Sequence, residues 1–96
     1  MWQEQPFTLA PGHPSAAGHF PGNPIIPGAL LLDAMIAAIP GLQDDITIHN
    51  VKFLRPIRHG TALRLLWQGQ GFATRFECRT ADDALVMAGT LIPGAA

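Results

Sequence analysis

Cysteine is nearly absent from the chain, charges are few, and no apolar run continues for long. Cys78 alone cannot close a disulfide within the chain, and no cysteine cluster exists to hold zinc, so no metal is expected and a reducing cytoplasm fits best. There is no basic N-terminal region followed by an apolar stretch and a small-residue cleavage site, so no signal peptide is read. The longest nearly apolar stretch, Pro24 to Ile39, is interrupted by Asp33 and two prolines and is too short for a bilayer, so no membrane anchor is expected. A net charge of -1 argues against nucleic acid as the main partner. Without repeats, low-complexity tracts or a linker, residues 1–96 read as a single domain.

What is present is apolar. Hydrophobic residues make up 48% of the 96 residues, high for a lone chain of a size that buries a small share of its surface, so self-association is expected. All six basic residues lie between positions 52 and 79, where Glu77 is the only acid. That excess suits an acidic protein or a phosphate, and equally the solvated face of ordinary strands.

The segment around Phe7 to Leu9 reads as a short strand. From Pro11 to Gly28 five prolines and four glycines exclude regular helix and predict a stiff, shaped loop. Pro27 and Gly28 then open a helix over Ala29 to Ile39, which Pro40 and Gly41 end. Its residues are apolar on every side except at Asp33, which predicts a helix enclosed all round, with the carboxyl among Leu30, Leu32, Met35 and Ile36. Strands follow at Ile46 to Leu54, Thr61 to Gln68, Phe72 to Arg79 and Leu85 to Ile92, with turns at Gly69-Gln70-Gly71 and Ala81-Asp82-Asp83. Apolar parity changes between Ile48 and Val51, which predicts a bulge near Asn50, and Pro56 puts the strand's end at an edge or turn. One helix and antiparallel strands make an α+β domain whose curved sheet wraps the helix.

The run His19-Phe20-Pro21-Gly22-Asn23-Pro24-Ile25-Ile26-Pro27-Gly28, followed by Ala29 to Asp33, closely resembles the active-site segment of the β-hydroxyacyl-acyl-carrier-protein dehydratases, HFPGxPxxPG and then an acid. Val51-Lys52-Phe53-Leu54-Arg55-Pro56-Ile57, with Gly60 after it, is similar to the strand that follows the central helix in that family. The resemblance implies a hotdog fold, an antiparallel sheet wrapped around a central helix, pairing with a second copy through edge strands. It implies a site in which the histidine of one subunit faces the acid of the other, and no cofactor. His19 and Asp33 inherit those positions. Many relatives carry glutamate where Asp33 stands. Only 18 residues precede His19, so the acyl tunnel is expected to be shorter or more open, as in accessory dehydratases of polyene-type lipid pathways.

Removing water from a 3-hydroxyacyl thioester needs a base for the C2 proton and an acid for the C3 hydroxyl. A neutral imidazole at His19 suits the first task. An enclosed Asp33 carboxyl resists ionisation and suits the second. The Gly28 N–H at the helix start can donate to the thioester carbonyl as it gains charge. The ordinary readings are a locally bonded loop histidine and an acid that caps or pairs. Phe20, Pro27 and Ala29 are the candidate substrate contacts, although Phe20 and Pro27, with Pro21 and Pro24, also have the simpler task of shaping the loop. Lys52, Arg55 and Arg58 are the candidate contacts for an acyl carrier protein and its phosphopantetheine. His13, His49 and His59 lack metal spacing and read as surface or turn residues. Trp2, Trp67 and Phe72 suit core or interface packing better than an acyl channel.

The expected activity is dehydration of 3-hydroxyacyl carrier-protein thioesters to trans-2-enoyl thioesters by a homodimer or higher oligomer. The alternatives are a hotdog thioesterase and a non-catalytic carrier-protein-binding subunit of a heterodimeric dehydratase.

Overall fold

The computed structural model describes residues 1–9, 25–42, 46–70 and 73–93. Along the chain come β1 (Gln3–Phe7), α1 (Gly28–Ala38), β2 (Ile46–Phe53), β3 (Leu63–Gln70), β4 (Ala73–Thr80) and β5 (Leu85–Pro93). The strands form one antiparallel sheet in the order β1-β3-β4-β5-β2, so β1 and β2 are its edges. One helix against this sheet is the hotdog arrangement expected from the resemblance.

Side-chain alternation assigns each strand residue to a face. Leu65, Cys78 and Met87 form one row across β3, β4 and β5, and Trp67, Phe76 and Gly89 form the next. The side chains of these rows are buried beneath α1, which lies against β4 and contributes Leu31 and Met35, with Ile39 just beyond its end. A Cβ at position 89 would stand 2.6 Å from Phe76 Cζ and 3.0 Å from Val51 Cγ2, so the second row closes only with glycine there. The intervening residues Arg64, Leu66, Arg75, Glu77 and Ala88 face the other way.

The bulge predicted near Asn50 is present. Pairing runs from Ile46↔Pro93 to His49↔Thr90 and resumes at Lys52↔Ala88, so two β2 residues stand opposite Gly89 alone. Asn50 takes the left-handed conformation, φ 54°, which asparagine tolerates better than most residues. The bulge turns Val51 and Phe53 toward the helix and Lys52 away from it.

Most boundaries shift from expectation by a residue or two, and two of the differences have a clear cause. β1 lies earlier than Phe7 to Leu9, because backbone pairing from Gln3↔Trp67 to Phe7↔Leu63 defines an edge strand whose polar side chains hide it. Gly69 and Gln70 continue the ladder opposite Thr74 and Ala73 rather than turning.

The enclosure expected for α1 is also corrected. Ala29, Asp33 and Ala37, spaced one turn apart, are exposed, while Leu31, Met35 and Ile39 are buried. A single sheet covers one side of a helix. The other side carries two small methyl groups and a carboxylate, which demand no burial within one chain. No described helix is long and apolar enough to cross a membrane.

Candidate active site

The site is built where the loop before α1 meets the end of β2. Ile25 bridges Arg58, and the Ile26 N–H donates to the Ile57 carbonyl at 2.8 Å, tying the loop to the segment after β2. Pro27 caps the helix in extended geometry, φ -59° and ψ 139°. Its carbonyl accepts from the N–H groups of Leu30 at 3.0 Å and Leu31 at 3.4 Å. Gly28 and Ala29 lie in the first turn, where N–H groups have no carbonyl a turn earlier to meet them, and no side chain caps this end. Their partial positive charge is available to an oxygen.

Above this turn stands Phe53. A Cβ at position 28 would lie 2.8, 2.9 and 3.1 Å from its Cε1, Cδ1 and Cζ atoms. Three consecutive ring atoms at nearly equal distance place the ring flat over Gly28. Phe53 and Gly28 share an apolar cavity of about 610 Å³ with Ile25, Pro27, Ala29 and Arg55, among others.

The structure thus brings together Pro27, Gly28, Ala29 and Arg55 of the residues singled out by sequence. Asp33 is exposed, four residues and about 6 Å along the helix axis from Ala29 on the same stripe. His19 and Phe20 lie outside the described residues, as do Pro21, Pro24, His13 and Phe72. Phe53, Ile25 and Pro56 are cavity residues that sequence reasoning did not single out, although Phe53 and Pro56 belong to the second family-like segment.

The basic residues divide between the outer face of the sheet and the segment that follows β2. Arg64 pairs with Glu4 at 3.2 Å and with Asp83. Arg79 meets Glu77 at 2.8 Å, and that hydrogen bond holds its guanidinium protonated more firmly than usual. Lys52 faces a separate cleft of about 500 Å³ on the outer side of the sheet, with Trp2, Arg75 and Glu77. Lys52 is therefore parted from Arg55, which lines the apolar cavity, and from Arg58 beside it. Trp67 belongs to the core, His49 is exposed and His59 is buried in a turn. Among the described residues no group of three His, Cys, Asp or Glu side chains could hold a metal ion.

A family model described as ApeI-like, ApeI dehydratase, matches residues 3–90. The chain is 40% identical over 63 residues to the 3-hydroxyacyl-[acyl-carrier-protein] dehydratase FabZ of Thermomicrobium roseum, covering 54% of this chain and 42% of that protein. It is 33% identical over 95 residues to the FabZ of Rhizobium rhizogenes, covering 84% of this chain and 60% of the relative. The chain therefore spans about half the length of these curated relatives. Among solved structures it is similar to the dehydratase heterocomplex ApeI:P from Xenorhabdus doucetiae, with a TM-score of 0.79 and 23% identity over 95% of this chain and 85% of that one. At that identity the likeness concerns the fold.

Proposed function

Because the chain belongs to the ApeI-like dehydratase family, we propose that it removes water from 3-hydroxyacyl thioesters of an acyl carrier protein, giving trans-2-enoyl thioesters. The observation that carries this reading is the apolar cavity at the start of α1, whose wall includes the uncapped first turn at Gly28 and which lies one turn from Asp33.

In this reading the thioester carbonyl accepts from the Gly28 N–H, which makes the C2 proton more acidic. Neutral His19 takes that proton. The C2–H electrons form the C2=C3 double bond, the C3–O bond breaks, and the hydroxyl leaves as water with a proton from Asp33. A carboxyl that must hold a proton near neutral pH needs shelter from water. Asp33 lacks that shelter in a single chain. A second subunit laid along Ala29, Asp33 and Ala37 supplies it, and brings its own His19 to the acid. Arg55 at the cavity receives the phosphate of the pantetheine arm.

A second reading, in which the paired chain is a different dehydratase subunit, is favoured by the solved neighbour being a heterocomplex. The test incubates the protein with 3-hydroxyacyl carrier protein and follows the loss of one water by mass. The wild type is expected to convert it, with His19→Ala and Asp33→Asn each slowing kcat/KM by about 100-fold or more. Variants as active as wild type would sink the mechanism. Activity appearing only on addition of a second dehydratase chain selects the heteromeric reading, and release of free acid instead selects a thioesterase.

A further inference from the structure

Phe53 is paired opposite Met87, whose side chain is fully buried, yet Phe53 remains 52% exposed. Its position explains this. One face of the ring rests on Gly28 and the other is left open beside the cavity. The backbone beneath it is held on both flanks, by β2 pairing before it and by the Leu54 N–H donating to the Val86 carbonyl at 2.8 Å after it. The opposite wall is held as well, through the Ile26 to Ile57 hydrogen bond. Among the described residues, the space beside the helix start is therefore set by a side chain on a firmly held backbone.

We infer that Phe53 is a specificity-determining residue that rejects acyl groups substituted at C2. This rests on the thioester-binding reading of the same cavity. A carbonyl oxygen bonded to the Gly28 N–H brings C1 and C2 within a few ångströms of the Gly28 Cα, which the ring already covers. Phe53 fills the space that a substituent on C2 would need. A hydrogen at C2 fits beside the ring edge and a methyl group collides with it. A single methyl in an apolar pocket is discriminated about 10-fold or more.

The experiment compares binding and turnover in the full chain. Calorimetry measures two unreactive probes, a straight-chain 3-hydroxyacyl pantetheine amide and its 2-methyl counterpart, against wild type, Phe53→Ala and Phe53→Leu. Wild type is expected to prefer the straight chain by about 10-fold or more. Phe53→Ala is expected to cut that preference to less than one third of the wild-type value, with Phe53→Leu between the two. A residue that merely supported the fold would weaken both probes alike and leave their ratio unchanged. The assignment is overturned if wild type shows no preference, if it binds neither probe, or if Phe53→Ala keeps more than one third of the preference. Turnover of the matching thioesters is read separately. If no water is lost from any thioester while the binding ratio shifts as expected, the dehydratase reading fails and the assignment of Phe53 stands.

Discussion

At the scale of the residue, Asp33 is where chain and site part company. The sequence presents one acid among helix-forming apolar residues, and periodicity alone places it in an enclosure. The fold puts it on a stripe with Ala29 and Ala37, because alanine is counted as apolar yet needs little burial. A carboxylate already in water contributes little to the stability of its own chain. Asp33→Asn is therefore expected to lose activity by about 100-fold while the midpoint of thermal unfolding stays within a few degrees of wild type. A large fall in that midpoint would mean that the acid is structural. Cys78 presents the opposite case. It is fully buried, and removal from water pushes its thiol up to about 11 from an ordinary 9.0. Iodoacetamide at pH 8 is expected to leave it unmodified in the native protein and to alkylate it in denaturant; rapid native labelling would show that the core opens. Because the folded thiol holds its proton more tightly, its contribution to stability is complete below about pH 9 and fades as pH rises through about 11.

At the scale of the element, the bulge shows what local pattern can reveal. The parity change between Ile48 and Val51 is visible in the letters, and it corresponds to the break in pairing between His49 and Lys52. The same bulge explains what pattern hid. Lys52, Arg55 and Arg58 are close in sequence and read as one basic patch. Strand alternation sends Lys52 to the outer cleft and the end of the strand leaves Arg55 at the cavity. No count of charges contains that division, since it depends on which strands β2 lies beside. His19 and Phe20 lie outside the described residues, so the histidine half of the site rests on the sequence motif. Opposite the bulge, Gly89 is held between Phe76 and Val51 at distances no added methyl group can share. Gly89→Ala is expected to destabilise the protein by about 1–3 kcal/mol in urea unfolding, and a neutral result would contradict the packing described for the second core row.

At the scale of the whole molecule, the two edges of the sheet differ. β2 exposes Ile48 and Phe53 among polar neighbours, with Leu54 just after it, and its bulge and Lys52 blunt only its second half, whereas β1 carries Gln3, Glu4, Gln5 and Pro6 along nearly its whole length. Apolar edges invite another strand, and proline and charge discourage one. Ile48→Lys is expected to shift sedimentation from a pair of chains toward single chains, with little loss of fold because that side chain is 42% exposed. Persistence of the pair would move the interface elsewhere. Pro6 then has a meaning beyond its own strand. Of the two described edges of the sheet one is receptive and one blunted, so pairing through β2 would leave β1 with little to offer a further strand. Growth strand by strand into a fibre is then expected to be disfavoured, because the side that would accept the next chain is the blunted one.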